Sequence, residues 1–174
     1  MDRLKRCNDE LKADRPTLKE VEFIPRLPIS ILVENVRSVH NVGSIFRTSD
    51  GAGVKKIFLC GQTGYPPRPD ITKTAIGAEE VVPWEYYIDP MDCIKKLKKK
   101  GIQIVALEQT NKSIDYKKFK PKYPTCLVVG HEIDGVSDEI LDLCDECIEI
   151  PMKGEKKSLN VSVAFGVAVY GLST

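Results

Sequence analysis

Short apolar runs separated by segments of helical pattern constrain this chain more than any other feature. Residues 29–33, 56–60, 102–107, 126–130 and 147–150 read as strands, and several are apolar almost throughout. A strand with one wet face alternates apolar with polar residues; a strand covered on both faces need not. Residues 42–51 carry apolar positions at Val42, Ile45 and Phe46 and stop at Gly51-Ala52-Gly53, a glycine-rich helix end with Asn41 as its N-cap. Residues 90–100 place Met91, Ile94 and Leu97 on one side and lysines at the C-terminal end, where they complement the helix dipole. Residues 137–143 read as a short helix with Ser137 at the N-cap. Strands therefore alternate with helices, which predicts an α/β fold: a mostly parallel sheet with helices on both faces.

The last segment is ambiguous by pattern. Leu159, Val161, Val163, Phe165, Val167 and Val169 alternate with smaller residues, which favours a strand. Its length and its position after a strand and loop favour a helix, and length decides for the helix. Ser162, Gly166 and Tyr170 then share a stripe open to close packing. Residues 61–70 hold two Gly and three Pro and read as loop. Residues 1–27 are charged, with Pro16 and Pro25, and read as an arm or short helix ahead of a domain over 28–174.

The chain has 174 residues, enough to bury a core without disulfides or metal. A net charge of +1 excludes a globally basic nucleic-acid binder, so any such role needs a local patch. Lys95 to Lys100, Lys117 to Lys122, and Lys153, Lys156 and Lys157 are the candidates. No apolar run is long enough to span a membrane, and the start Met1-Asp2-Arg3 leads into no apolar signal segment, so a cytoplasmic protein is expected. Of six cysteines only Cys144 and Cys147 are closely spaced, and His40 and His131 are isolated. Buried or half-buried thiols are expected, and no metal site.

Three motifs carry the chemistry. Asn41-x-Gly43-x-x-x-Arg47-Thr48 puts an arginine on a helix of small and apolar residues, where it needs a partner or a phosphate. Gly130-x-Glu132-x-x-Gly135-x-Ser137 delivers a glycine and a carboxylate at a strand's C-terminal end, where open α/β sheets bind ligands. There Gly130 would let a ligand approach the backbone. Ile150-Pro151-Met152, followed by Ser158-Leu159-Asn160, sets hydroxyl and amide groups at the start of the last helix.

As a set, over residues 31–172, these motifs resemble the SpoU/TrmH family of RNA 2′-O-ribose methyltransferases in the SPOUT superfamily. The resemblance implies a parallel-sheet domain with a C-terminal trefoil knot, a fold that pattern alone could not suggest. It implies S-adenosyl-L-methionine as cofactor, held by backbone around Gly130, Ile150 and Leu159, with Met152, Leu107, Glu108 and Gln109 lining the pocket. It implies Arg47, Asn41, Glu132, Ser158 and Asn160 as catalytic groups. It also implies a homodimer, with a tRNA or rRNA substrate. Arg47 is either the base that takes the ribose proton or a group that positions a phosphate.

Two other classes compete. A non-catalytic RNA-binding or assembly factor could keep the fold, but the complete catalytic set argues against it. A nucleotide-binding regulator would want a glycine-rich phosphate loop, which is missing.

Overall fold

The computed structural model describes residues 4–173, so the reading of residues 1–3 lies outside the described residues. Two short helices, α1 (Asn8–Ala13) and α2 (Leu18–Val21), form the arm. Then follow β1 (Leu27–Glu34), α3 (Val39–Gly51), β2 (Val54–Cys60), α4 (Pro69–Ala75), α5 (Ala78–Val81) and β3 (Trp84–Tyr87). After α6 (Pro90–Lys99) and β4 (Gln103–Leu107) come β5 (Ile114–Asp115), β6 (Thr125–Val129), α7 (Asp138–Leu141), β7 (Glu146–Glu149) and α8 (Val161–Leu172). The strands form one sheet in the order β3-β2-β1-β6-β4-β7-β5, and every pairing is parallel.

Both faces of the sheet are covered, which explains the uninterrupted apolar runs. Ile31, Val33, Leu127 and Val129 point to one side, where Phe46 of α3 and Phe165 of α8 join them. Leu32, Cys126 and Val128 point to the other, against Ile94 and Leu97 of α6 and Ile140 of α7. The period-two alternation is therefore present, but it separates two buried faces.

The last segment is a helix, as its length predicts. It hid its period because its apolar residues go nearly all round: Phe165, Ala168, Val169 and Leu172 are buried and Val161 and Val167 half-buried. Its small stripe runs beside α3, with Gly166 next to the Thr48 methyl group and the Tyr170 hydroxyl beside Gly51.

Four short elements, α4, α5, β3 and β5, went unread in the sequence. The first opens with Pro69 inside a stretch that looks like loop, since proline fits a helix's first turn. The helix α3 starts at Val39, three residues before the expected start. Ser38 is its N-cap, with its hydroxyl accepting the Asn41 N–H at 3.4 Å, so Asn41 is not the cap. Ser137 stands at the N-cap of α7 without capping it; its hydroxyl goes to Glu34 instead. No residue of α1 or α2 is buried, and Leu4, Leu18 and Phe23 are exposed.

Five of the six thiols are buried or half-buried, as expected, whereas Cys7 is exposed. Burial, then the charges of Cys147 and Asp145, push the Cys144 thiol up to about 12, so it is no ready nucleophile. Among the described residues no group of three or more His, Cys, Asp or Glu could hold a metal ion, and no helix is long and apolar enough to cross a membrane.

Candidate functional site

Three neighbouring parallel strands, β6, β4 and β7, end side by side, and the loops that follow them enclose a cavity of about 190 Å³. Loops beyond strand C-termini are where open α/β sheets bind ligands. Leu107, Glu108 and Gln109 come from the first of these loops in chain order. Gly130 to Gly135 come from the second, and Glu149, Ile150, Met152, Ser158 and Leu159 from the third. All seven residues expected to hold the cofactor line this one cavity.

The loops are tied to each other by the middle strand's exit. Glu108 accepts the Val136 N–H at 3.0 Å, and the Gln109 side-chain amide donates to the Lys157 carbonyl at 2.5 Å. Glu34, 2% exposed at the end of β1, accepts both the hydroxyl and the N–H of Ser137, at 2.5 and 3.1 Å. The loop can close this tightly because of its glycines. A Cβ on Gly130 would lie 2.2 Å from the Gly135 carbonyl carbon, and Gly135 itself has φ +72°. The close approach at Gly130 is thus made first by the chain's own turn, not only by a ligand as the sequence suggested.

Glu132 leaves this loop for the start of α3. Its carboxylate accepts the Arg37 N–H at 3.1 Å, the Ser38 N–H at 2.9 Å and the Asn41 side-chain amide at 3.0 Å. A carboxylate at a helix N-terminus meets unpaired N–H groups and the positive end of the dipole. Burial raises the Glu132 pKa, but these donors outweigh it, and the carboxyl sits below its ordinary value. The Asn160 amide donates to the Asn41 side-chain oxygen at 3.1 Å, while the Asn160 oxygen caps α8 by accepting the Ser162 and Val163 N–H groups at 2.9 and 3.4 Å. One polar chain, Asn160–Asn41–Glu132, thus joins all three motifs at the cavity rim. Ser158 lines the cavity and makes no hydrogen bond among the described residues.

Arg47 is the candidate that is not brought in. It stands six residues after Asn41 on α3, roughly 120° away around the helix. It is exposed, and its side chain makes no hydrogen bond or ion pair among the described residues. It lines a separate, larger groove of about 540 Å³ between α3, the arm and α5. Arg15, Arg26, Asp50 and Glu80 line that groove with it, beside apolar residues of the arm such as Leu18, Val21 and Ile24. Glu34 and Glu149 were missed as site-building residues, and Ser137, the last residue of the second motif, was read only as a helix cap. The available signal was an acid closing an apolar strand, at Glu34 and again at Glu149.

Comparison with known proteins agrees with this geometry. Residues 28–170 match the SpoU rRNA Methylase family. A tRNA (guanosine(18)-2′-O)-methyltransferase of Aquifex aeolicus is 35% identical over 88% of this chain and 72% of its own length. A 23S rRNA (guanosine-2′-O-)-methyltransferase of Vibrio parahaemolyticus is 34% identical over 82% of this chain and 58% of its own. The crystal structure of the A. aeolicus TrmH/SpoU tRNA modifying enzyme superposes with a TM-score of 0.81 at 33% identity, covering 90% of this chain and 80% of that one. An AdoMet-bound rRNA methyltransferase of Sinorhizobium meliloti gives 0.79 at 26% identity, over 87% and 59%. A match across most of the chain, with the three motifs meeting at one cavity, places this protein in the SpoU rRNA methylase family.

Proposed function

We propose that this protein transfers a methyl group from S-adenosyl-L-methionine to a ribose 2′-hydroxyl of tRNA or rRNA. The observation that carries the reading is the cavity at three strand ends with the Asn160–Asn41–Glu132 chain on its rim. The related tRNA and rRNA 2′-O-methyltransferases support it.

The residues present suit that cofactor. Leu107, Ile150, Met152 and Leu159 offer apolar walls for a flat base, with backbone around Gly130, Ile150 and Leu159 to hydrogen-bond its edge. Glu108 offers carboxylate oxygens to ribose hydroxyls. The acidic lining of Glu108, Glu132, Asp134 and Glu149 favours a cation such as a sulfonium. When bound, the cofactor would supply an electrophilic methyl group: the ribose oxygen attacks its carbon in line as the carbon–sulfur bond breaks, S-adenosylhomocysteine leaves and the hydroxyl proton passes to solvent, so positioning contributes much of the rate. Glu132 fixes Asn41 and the start of α3, and Asn41 with Asn160 and Ser158 orients the ribose. A guanidinium holds its proton at neutral pH, so exposed Arg47 fits positioning a substrate phosphate better than accepting the ribose proton.

Because Arg47 faces away from its own chain's cavity lining, this reading pairs it with the cavity of a second copy, in a homodimer. It also implies that the C-terminus is tucked through a loop as a trefoil knot, that residues 28–174 form the methyltransferase domain, and that the protein acts in the cytoplasm without metal or membrane.

The test is transfer of a radiolabelled methyl group from S-adenosyl-L-methionine to bulk tRNA or rRNA, followed by alkaline digestion. A 2′-O-methyl group blocks cleavage at its own nucleotide, so label is expected in alkali-resistant dinucleotides. Label in mononucleotides would exclude ribose methylation. RNA binding with no transfer and no thermal shift from S-adenosylhomocysteine would support the non-catalytic reading.

A further inference from the structure

The proline-rich loop between β2 and α4 has no part in the cofactor cavity, yet it is built firmly against the end of β1 and against β3. Thr63, 2% exposed, accepts the Val36 N–H and donates to the Val33 carbonyl, both at 3.0 Å. The Gln62 N–H donates to the Asn35 side chain at 2.9 Å, and the Tyr86 hydroxyl donates to the Gly61 carbonyl at 2.6 Å. These bonds fix the loop to the end of β1 and to edge strand β3.

On this base stands Tyr65. Its ring centroid lies 4.4 Å from that of Tyr86 and 6.4 Å from that of Trp84, and the residue is still 43% exposed. Two rings thus support it from one side while much of its surface stays open. The segments that flank this loop carry unpaired cations, while Glu85, between the two supporting rings in sequence, is paired to Lys56. Arg37, Arg68 and Lys73 are exposed, and none has a hydrogen-bonded or ion-paired side chain among the described residues. Asp70 is the one acid between residues 61 and 75.

The start of α3 links this loop to Glu132, which lines the cavity. The carboxylate of Glu132 holds the Arg37 N–H. Val39, two residues on, packs close to Gly64, and the Arg68 guanidinium lies beside that same glycine. Tyr65 follows directly. A ring that only sealed the edge strand would need no unpaired cations around it. A rigid exposed aromatic next to cations at a groove's edge is the chemistry that takes unstacked bases and phosphates of a nucleic-acid strand.

We infer that Tyr65 is a stacking platform for an unpaired base of the RNA substrate, with Arg68 and Arg37 holding the backbone phosphates that lead to the methylated ribose. This rests on the reading of the protein as an RNA methyltransferase and adds the surface that grips the strand beside the site.

The chain holds one tryptophan, Trp84, so its fluorescence reports on this place. The experiment titrates the full-length protein with bulk tRNA, following Trp84 emission and the anisotropy of fluorescein-labelled tRNA. Tyr65→Ala is expected to weaken binding roughly tenfold and to raise KM for RNA with kcat retained, while Tyr65→Phe, which keeps the ring, restores binding. Arg68→Gln is expected to lower the slope of log affinity against log salt by about one. Affinity for S-adenosylhomocysteine should be unchanged in all three variants. Tyr65→Ala and Arg68→Gln proteins that bind tRNA like the wild type would overturn the inference while leaving the methyltransferase reading intact. A loss confined to one variant overturns the role given to the other residue. A wild-type protein that binds no S-adenosylhomocysteine and methylates no RNA would instead defeat the reading beneath it. Should Tyr65→Ala fail to fold, the surface change Arg68→Gln carries the test alone.

Discussion

At the scale of single residues, the arrangement separates binding from chemistry. The cavity proposed for the cofactor is lined in one chain without Arg47, and Asn41, Glu132 and Asn160 are held by one another. Arg47→Ala should therefore leave the affinity for S-adenosylhomocysteine unchanged by isothermal titration. Methyl transfer to RNA should fall by roughly 100-fold or more, the usual loss when a group that positions reacting charge is removed. Lost cofactor affinity in that variant would mean that Arg47 shapes the cavity itself. Much of this site was legible in the chain, because polar residues just past apolar strands could be located from the strands alone. Arg47's direction was not. Taking Asn41 as the N-cap hid the fact that Ser38 caps α3 and that Asn41 already lies within its first turn. Glu34 stood out only as an acid closing an apolar strand; its partner Ser137 was not legible, because it is 103 residues away and a tertiary bond of that span leaves no periodic trace.

At the scale of elements, strands were legible where they lie mid-sheet and illegible at its edges. β1, β2, β4 and β6 are buried on both faces and announce themselves as apolar runs. Edge strand β3 reads Trp-Glu-Tyr-Tyr, and its half-buried pattern is too short to stand out. Helix α4 was lost for a related reason: it has seven residues and ends on Ile76, a left-handed cap where glycine or asparagine is usual. Ile76 has φ +53° and is 61% exposed. A β-branched side chain in that conformation is strained by about 1 kcal/mol or more, and its exposed surface gives little back. Ile76→Asn should stabilise the protein by about 1 kcal/mol, read as an upward shift in the denaturation midpoint with unchanged m-value. A lowered midpoint would show that the Ile76 side chain makes contacts worth more than its backbone strain, which would point to a surface covered by another molecule.

At the scale of the whole molecule, two carboxylates clasp opposite ends of the sheet and make stability depend on pH in a set direction. Glu132 joins the loop at the C-terminal ends of the strands to α3. Asp145 works at the other end, accepting the Ile104 N–H and the Lys98 ammonium, each at 2.7 Å, and so fastening the start of β4 to α6. Burial raises the Asp145 pKa, yet the Ile104 N–H and Lys98 outweigh it and leave the carboxyl below its ordinary value, as at Glu132. A carboxyl whose folded pKa is depressed binds its proton more readily in the unfolded chain. Its contribution is complete above the unfolded value, about 4 for Asp and Glu, and is lost as pH falls through the folded value. Both groups are partly open to water, so each contributes modestly. Denaturation midpoints should stay level from pH 7 to about 5 and fall below about 4. Glu132→Gln and Asp145→Asn should each be less stable at pH 7 and show a shallower decline, since the titrating group is gone. The two effects should add, because the sites share no partner. A midpoint that rises on acidification would reverse the sign argued for both clasps. An acid decline that persists undiminished in the double variant would place its source in other carboxylates.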